Sequence, residues 1–130
     1  MTKITIIKVR KKVSPDINQE LQWLGDSLGL FSQRDRDSSC FRVFITLVRK
    51  ARYNEPLSSD AIAEYLHLSR GTVVHHLTKL IESGLVIRDR GGYILRESTL
   101  EAVITDMRRD MEALFDEMDS VAKAIDHKLS

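Results

Sequence analysis

Two serines set the frame of this chain. Ser58 and Ser69 each stand where a hydroxyl accepts from the free N–H groups of a helix's first turn, and each is bracketed by a hydrophobic staple, Leu57 with Ile62 and Leu68 with Val73. A second helix therefore opens within a few residues of where the first one ends. Only a tight turn around His67–Leu68 fits between them. On the second helix Val73, Leu77, Leu80 and Ile81 follow the spacing of one buried face, and Gly84 stops it. The opposite face carries Arg70, Gly71, His75, Thr78 and Lys79. Donors, small residues and cations on one face suit base edges and phosphates, because Arg and Lys donate to guanine and a helix start favours phosphate. Leu57–Leu85 is thus expected to be a helix-turn-helix whose second helix, about Ser69–Ser83, is shaped for a DNA groove.

After Gly84 the period changes. Val86-Ile87-Arg88-Asp89-Arg90 and Tyr93-Ile94-Leu95-Arg96 are two short β-branched runs around Gly91-Gly92, which predicts a hairpin, a wing, with the diglycine as its turn. Arg88 and Arg90 are expected on one strand face, placed for DNA backbone or minor-groove contact. No Lys-Ser/Thr pair follows the glycines and no helix starts there, which excludes a phosphate-binding loop. Farther on, Leu100, Ile104, Met107, Met111, Leu114, Met118, Val121 and Ile125 repeat at 4-3-4-3-4-3-4 spacing, a heptad seam over residues 99–128. A helix of that length extends about 45 Å at 1.5 Å per residue, too far to be buried against so small a core. The cheapest cover is the same helix of a second copy, so a two-fold dimer is expected, with Val103 and Phe115 widening the seam.

Leu68-Ser69-x-x-Thr72-Val73-Val74-His75-His76-Leu77-x-x-Leu80-x-x-x-Gly84-Leu85-Val86 resembles the recognition helix of winged-helix regulators, most closely those of the ArsR family, with MarR regulators as near relatives. The resemblance covers about Phe41 to Leu95. It implies a mainly α fold with a small β-hairpin, duplex DNA as partner, and Arg70, Gly71, Thr72, Val74, His75, Thr78, Lys79, Arg88 and Arg90 as its contacts. Val74 departs from the family, which usually carries Ser there; a valine replaces the hydroxyl contact by apolar contact with a thymine methyl. The family also contains metal sensors, but the helix Ser58–Leu66 has no cysteine and the last helix offers Asp106, Asp110 and His127 without a His-rich set.

Net charge is only +1 over 130 residues, so its distribution is the informative quantity. Residues 1–13 carry five Lys/Arg and no acid, residues 14–66 are −2, residues 67–96 are +3 and residues 97–130 are −5. Positive charge collects on the amino-terminal arm and the helix-turn-helix, and the acidic last segment is unsuited to DNA. Ile4–Val9 is rich in β-branched residues and reads as a strand leading into Arg10-Lys11-Lys12. Ser14-Pro15-Asp16 opens a helix to about Leu28, ended by Gly29, with Ile17, Leu21, Leu24 and Leu28 as its seam and Trp23 beside it. The polar run 32–39 is a loop, and the next helix, about Ser39–Tyr53, is expected to bury Phe41, Phe44, Ile45 and Val48. Cys40, the one cysteine, excludes an internal disulfide and is expected to be a small buried hydrophobe. The opening segment is too short and too charged for a signal core, which predicts a cytoplasmic protein.

The expected organisation is an arm and helix over 1–38, a winged helix-turn-helix over 39–96 and a dimerising helix over 97–130. The expected function is a homodimeric, sequence-specific regulator of transcription on double-stranded DNA. It needs no cofactor or metal and has no catalytic set; the methionines leave room for a small-molecule effector of unassigned identity. The alternatives are a winged helix that serves protein partners and a ligand- or metal-responsive sensor.

Overall fold

The computed structural model describes residues 3–10, 15–31 and 38–130. In order, the elements are α1 (Ile17–Ser27), α2 (Ser39–Ala51), α3 (Ser59–Leu66), α4 (Arg70–Glu82), β1 (Val86–Asp89), β2 (Gly92–Leu95) and α5 (Leu100–Leu129). This is a mainly α winged helix-turn-helix with a long carboxy-terminal helix.

The caps do what their sequence positions require. Ser58 Oγ accepts from Ala61 N at 3.0 Å and Ser69 Oγ from Thr72 N at 3.1 Å, so α3 and α4 start where the two serines stand. Between them His67 takes the left-handed conformation at φ 56° and reverses the chain in one step. α5 starts in the same way, with Thr99 Oγ1 accepting from Ala102 N. α1 is capped by Asp16, whose carboxylate accepts from Asn18 N. The expected opening at Ser14 lies outside the described residues, as do the polar run 32–37 and Lys11-Lys12.

One core gathers residues from α1 through the first turns of α5. Phe44 and Leu47 of α2, Ile62 of α3, Val73, Leu77 and Leu80 of α4, Leu85, and Val103 of α5 are all at most 1 % exposed. Each such side chain contributes about 1.5–3 kcal/mol over its exposed state. The α2 stripe is centred differently from the sequence expectation. Cys40, Val43, Phe44, Leu47 and Ala51 are the deep positions, whereas Phe41, Ile45 and Val48 are half-buried at its edge. α2 is packed on several sides at once, by α1, α3, α4 and β2. Its buried face is therefore wider than the single stripe that periodicity picks out.

Residues 3–10 form no strand. Ile4–Val9 has the β-branched composition, but composition alone does not make a strand, and the segment pairs with neither strand of the hairpin. The segment instead runs extended over helix ends, with Lys3 N donating to Glu82 O at 2.7 Å and Ile7 N to Ser27 O at 2.8 Å.

The hairpin register is Val86 with Leu95 through Asp89 with Gly92, so the two-residue turn is Arg90-Gly91 and not the diglycine. Both turn residues have positive φ, 48° and 78°, the pattern that matches strand twist in a tight hairpin. Gly92 lies inside β2 for another reason. A Cβ there would meet Pro56 Cβ at 2.9 Å and the Leu57 carbonyl group at 3.0 Å. That close approach lets Leu57 and Tyr93 exchange two backbone hydrogen bonds, of 3.0 and 2.8 Å, so the chain before α3 is stitched to the hairpin.

α5 has two halves. Val103 and Met107 are buried in the core, and Arg96 at the hairpin base holds the helix by ion pairs to Asp110 at 2.8 Å and Asp106 at 3.6 Å. From Glu112 to Ser130 every residue is exposed, with Leu114, Phe115, Met118, Val121 and Ile125 about half accessible on one stripe.

Candidate nucleic-acid interface

The fold holds α4 by one side only. Val73, Leu77 and Leu80 fill the core, and His76 joins them at 9 % exposure with Nε2 2.6 Å from Ser39 Oγ at the start of α2. Its neighbour His75 points outward, as the helical step of about 100° between adjacent residues requires.

Arg70, Gly71, His75 and Thr78 are exposed together on the free side, with Thr72 and Val74 half-buried at its margins. Gly71 has no atom within 4 Å of where a Cβ would stand, so the face is open at the helix start. Thr72 is partly committed to the cap, since Ser69 Oγ donates to its hydroxyl at 2.8 Å. Thr78 Oγ1 donates to Val74 O at 2.9 Å. Arg70 lies 3.4 Å from the Asp60 carboxylate on α3, with both side chains more than two-thirds exposed. An ion pair that open to water is worth about 0–1 kcal/mol and leaves the guanidinium free to exchange partners.

Two of the sequence-selected cations are engaged elsewhere. Lys79 is half-buried and donates to Leu30 O at 2.6 Å, so its ammonium holds α4 to the chain that follows α1. Arg90 does not share a strand face with Arg88, because it occupies the turn; its guanidinium donates to Asn54 O at 2.9 Å and to Asp89 at 3.2 Å. Arg88 remains on the exposed wing face, over the Tyr93 ring at 5.4 Å. Arg42, on α2, donates to Leu66 O and so satisfies the end of α3.

The sequence reading missed Asp60 and Asn54, the partners of two of its arginines. For Asn54 a local signal existed. It precedes Glu55-Pro56 at a helix end and takes φ 51°, a conformation that Asn tolerates better than most residues. For Asp60 there was none, since its pairing depends on how α3 crosses α4.

Among the described residues no group of three or more His, Cys, Asp or Glu is arranged to hold a metal ion. Cys40 is 2 % exposed and directs its sulfur at Leu30 O, at 3.4 Å. No described helix is long and apolar enough to cross a membrane.

Residues 49–88, from the end of α2 through most of β1, match the family model described as the bacterial regulatory protein, arsR family. No curated protein matches the chain. With two capped helices in tandem and a paired hairpin behind them, the chain is a winged helix-turn-helix protein, and across residues 49–88 it is similar to the arsR-family bacterial regulatory proteins, a likeness that supports a DNA-binding regulator of transcription.

Proposed function

We propose that the chain binds double-stranded DNA sequence-specifically as a homodimer, with about Ser69–Ser83 in the major groove and the wing, residues 86–96, on the flanking backbone or minor groove. Gly71 carries the reading. A glycine inside a helix costs about 1 kcal/mol relative to alanine, and the protein's own packing gives no reason for it, since the space beside it is empty. Close approach of a nucleic-acid backbone gives one.

In this reading Arg70 and His75 address base edges, Val74 meets a thymine methyl, and Thr72 and Thr78 serve nearby phosphates. Arg88 reaches the flanking backbone. Lys79 and Arg90 act first through the fold, Lys79 by fixing α4 and Arg90 by fixing the wing tip; Lys79 reaches phosphate only by leaving the Leu30 carbonyl. Residues 1–38 form the arm, 39–96 the DNA-binding unit and 97–130 the dimerising helix, working in the cytoplasm. Leu100, Ile104, Met107, Met111, Leu114, Met118, Val121 and Ile125 form the dimer seam, the first of them also contacting their own core. Two copies set two half-sites about 34–36 Å apart on one face of the duplex.

Selection of bound sequences from a random duplex pool, followed by titration at several salt concentrations, tests the reading. A two-fold symmetric motif and a steep fall of log K with log[salt] are expected. Arg70→Ala and His75→Ala should weaken the selected sequence more than random duplex, by about 1–3 kcal/mol each where the contact is bidentate. A protein that ignores duplex DNA at low salt would refute the reading and favour a winged helix that serves protein partners.

A further inference from the structure

Arg70 is the exposed cation of α4, since Lys79, the other Lys or Arg of that helix, is half-buried against the Leu30 carbonyl. What stands beside Arg70 is an acid. Asp60 Oδ1, on α3, lies 3.4 Å from Arg70 Nε, and the two side chains are 76 and 72 % exposed. The nearest approach is thus on the Nε side of the guanidinium. Among the described residues neither terminal Nη group makes a hydrogen bond. Those two groups are parallel donors in a fixed fork, the arrangement that a guanine edge takes through O6 and N7.

The formal charge around this pair is low for a surface that meets DNA. α3 carries Asp60 and Glu64 and no Lys or Arg, and α4 carries Arg70, Lys79 and Glu82. With two basic and three acidic residues, the two helices together are −1. α2, by contrast, carries Arg42, Arg49 and Lys50 and no acid, and the wing adds Arg88 and Arg90. The charge that draws a duplex therefore lies around the reading helix and not on it. Asp60 also complements the dipole of α3 from its first turn, but that duty needs no arginine beside it, and Ser58 already caps the helix.

We propose that Asp60 is a positioning residue that sets sequence specificity through Arg70. It holds the guanidinium by the Nε side, cancels its charge toward phosphate and leaves the terminal edge for a guanine. The inference rests on the DNA reading above and adds how the reading face discounts wrong sequences. A bare arginine at the start of the reading helix would attract phosphate on every duplex, a term that carries no sequence information. Beside Asp60 the pair has no net charge, whereas its free donors still match O6 and N7. The two contributions differ in size. A bidentate guanine contact discriminates by about 5- to 150-fold. An ion pair this exposed adjusts affinity by at most about 5-fold, so Asp60 sharpens a preference that Arg70 makes.

Asp60→Asn keeps the shape of the side chain and removes its charge. The variant is titrated against the selected duplex and against random duplex at several salt concentrations. Random duplex should bind about 2- to 5-fold tighter and the selected duplex should stay within about 2-fold of wild type. On random duplex the slope of log K against log[salt] should steepen by about 0.9, the signature of one more phosphate contact. Asp60→Glu keeps the charge and should keep the wild-type slope. In an Arg70→Ala background, Asp60→Asn should change neither affinity nor slope. An equal gain in that background overturns the proposal, because the carboxylate then acts by plain repulsion of phosphate. A loss on the selected duplex with relaxed preference at one base pair overturns it as well, since Asp60 would then accept directly from a cytosine amino group. Unchanged affinity and slope on random duplex overturn it and leave the DNA reading standing. A wild-type protein that binds duplex with no preferred sequence overturns both. A weaker α3 dipole in Asp60→Asn appears in urea unfolding and acts alike on both duplexes, so it cannot imitate a change in their ratio.

Discussion

The two glycines of the wing should fail in different ways when each is replaced by alanine. At Gly92 the obstacle is space. The added methyl would stand 2.9 Å from Pro56 Cβ and 3.0 Å from the carbon and oxygen of the Leu57 carbonyl. Relief requires the Leu57 segment to withdraw, and that segment is held to Tyr93 by hydrogen bonds of 3.0 and 2.8 Å. Partial withdrawal costs about 1–3 kcal/mol, the usual range for an overpacked methyl. Complete withdrawal loses both bonds at about 0.5–1.5 kcal/mol each, which arrives at the same range. At Gly91 the methyl meets nothing within 4 Å, and the obstacle is φ 78° alone. Left-handed backbone costs a residue with a Cβ about 1–2 kcal/mol, and the Leu57–Tyr93 stitch is untouched. Urea unfolding therefore ranks both variants below wild type, and amide exchange separates them. The Leu57 and Tyr93 amides should lose protection in Gly92→Ala beyond its global loss of stability, and keep it in Gly91→Ala. Wild-type protection of the Tyr93 amide in Gly92→Ala would refute the argument that close backbone approach selects this glycine.

The same reasoning reaches other sites. Ser39→Ala removes a hydrogen-bond partner of the buried His76 ring and should lower stability by about 1–3 kcal/mol in urea unfolding. Lys79→Met keeps most of the half-buried stem but drops the bond to Leu30 O, so faster exchange should appear around residues 30–31 while the core amides hold. Glu97 is pushed above the ordinary carboxylate range by its hydrogen bond to Asp106 and then by that carboxylate's charge. A raised pKa in the folded state binds protons more tightly than the unfolded chain does. Its contribution is therefore present at pH below the ordinary carboxylate pKa and is lost as pH rises through the raised value. Glu97→Gln should accordingly become more stable relative to wild type on going from acid to neutral pH, and a constant difference across that range would contradict the pairing.

Much of this fold was legible because its signals are local. A cap needs only a serine and the apolar pair around it, and Ser58 and Ser69 both accept from the residue three places on, as their positions required. The long helix was equally legible, since a seam repeated over many turns has no other reading. What escaped depended on contacts between elements. The Gly91-Gly92 pair looks like a turn, yet the register is fixed by burying Val86 opposite Leu95, and that shifts the turn back by one residue to Arg90-Gly91. Ile4–Val9 has strand composition, yet Ile7 bonds to the end of α1 at Ser27 rather than to the hairpin. The α2 stripe was misplaced toward Phe41 and Ile45 because periodicity finds one face, and α2 is covered on several.

The candidate site shows why residue type alone ranks contacts poorly. Seven polar or charged side chains were selected on α4 and the wing, and by type Lys79 and Arg90 were as good as Arg70 and Arg88. The fold separates them by what each can reach within its own chain. Lys79 finds the carbonyl of Leu30 and Arg90 finds that of Asn54, whereas Arg70 has only an exposed carboxylate and Arg88 an aromatic face. A cation that already serves a carbonyl must give up that bond to meet a phosphate, and one that does not is free to exchange. Those two tethers, together with the buried His76, give the reading face its position. Lys79 and His76 hold α4 to Leu30 and Ser39, the residues on either side of the chain between α1 and α2, and Arg90 holds the wing tip to the end of α2.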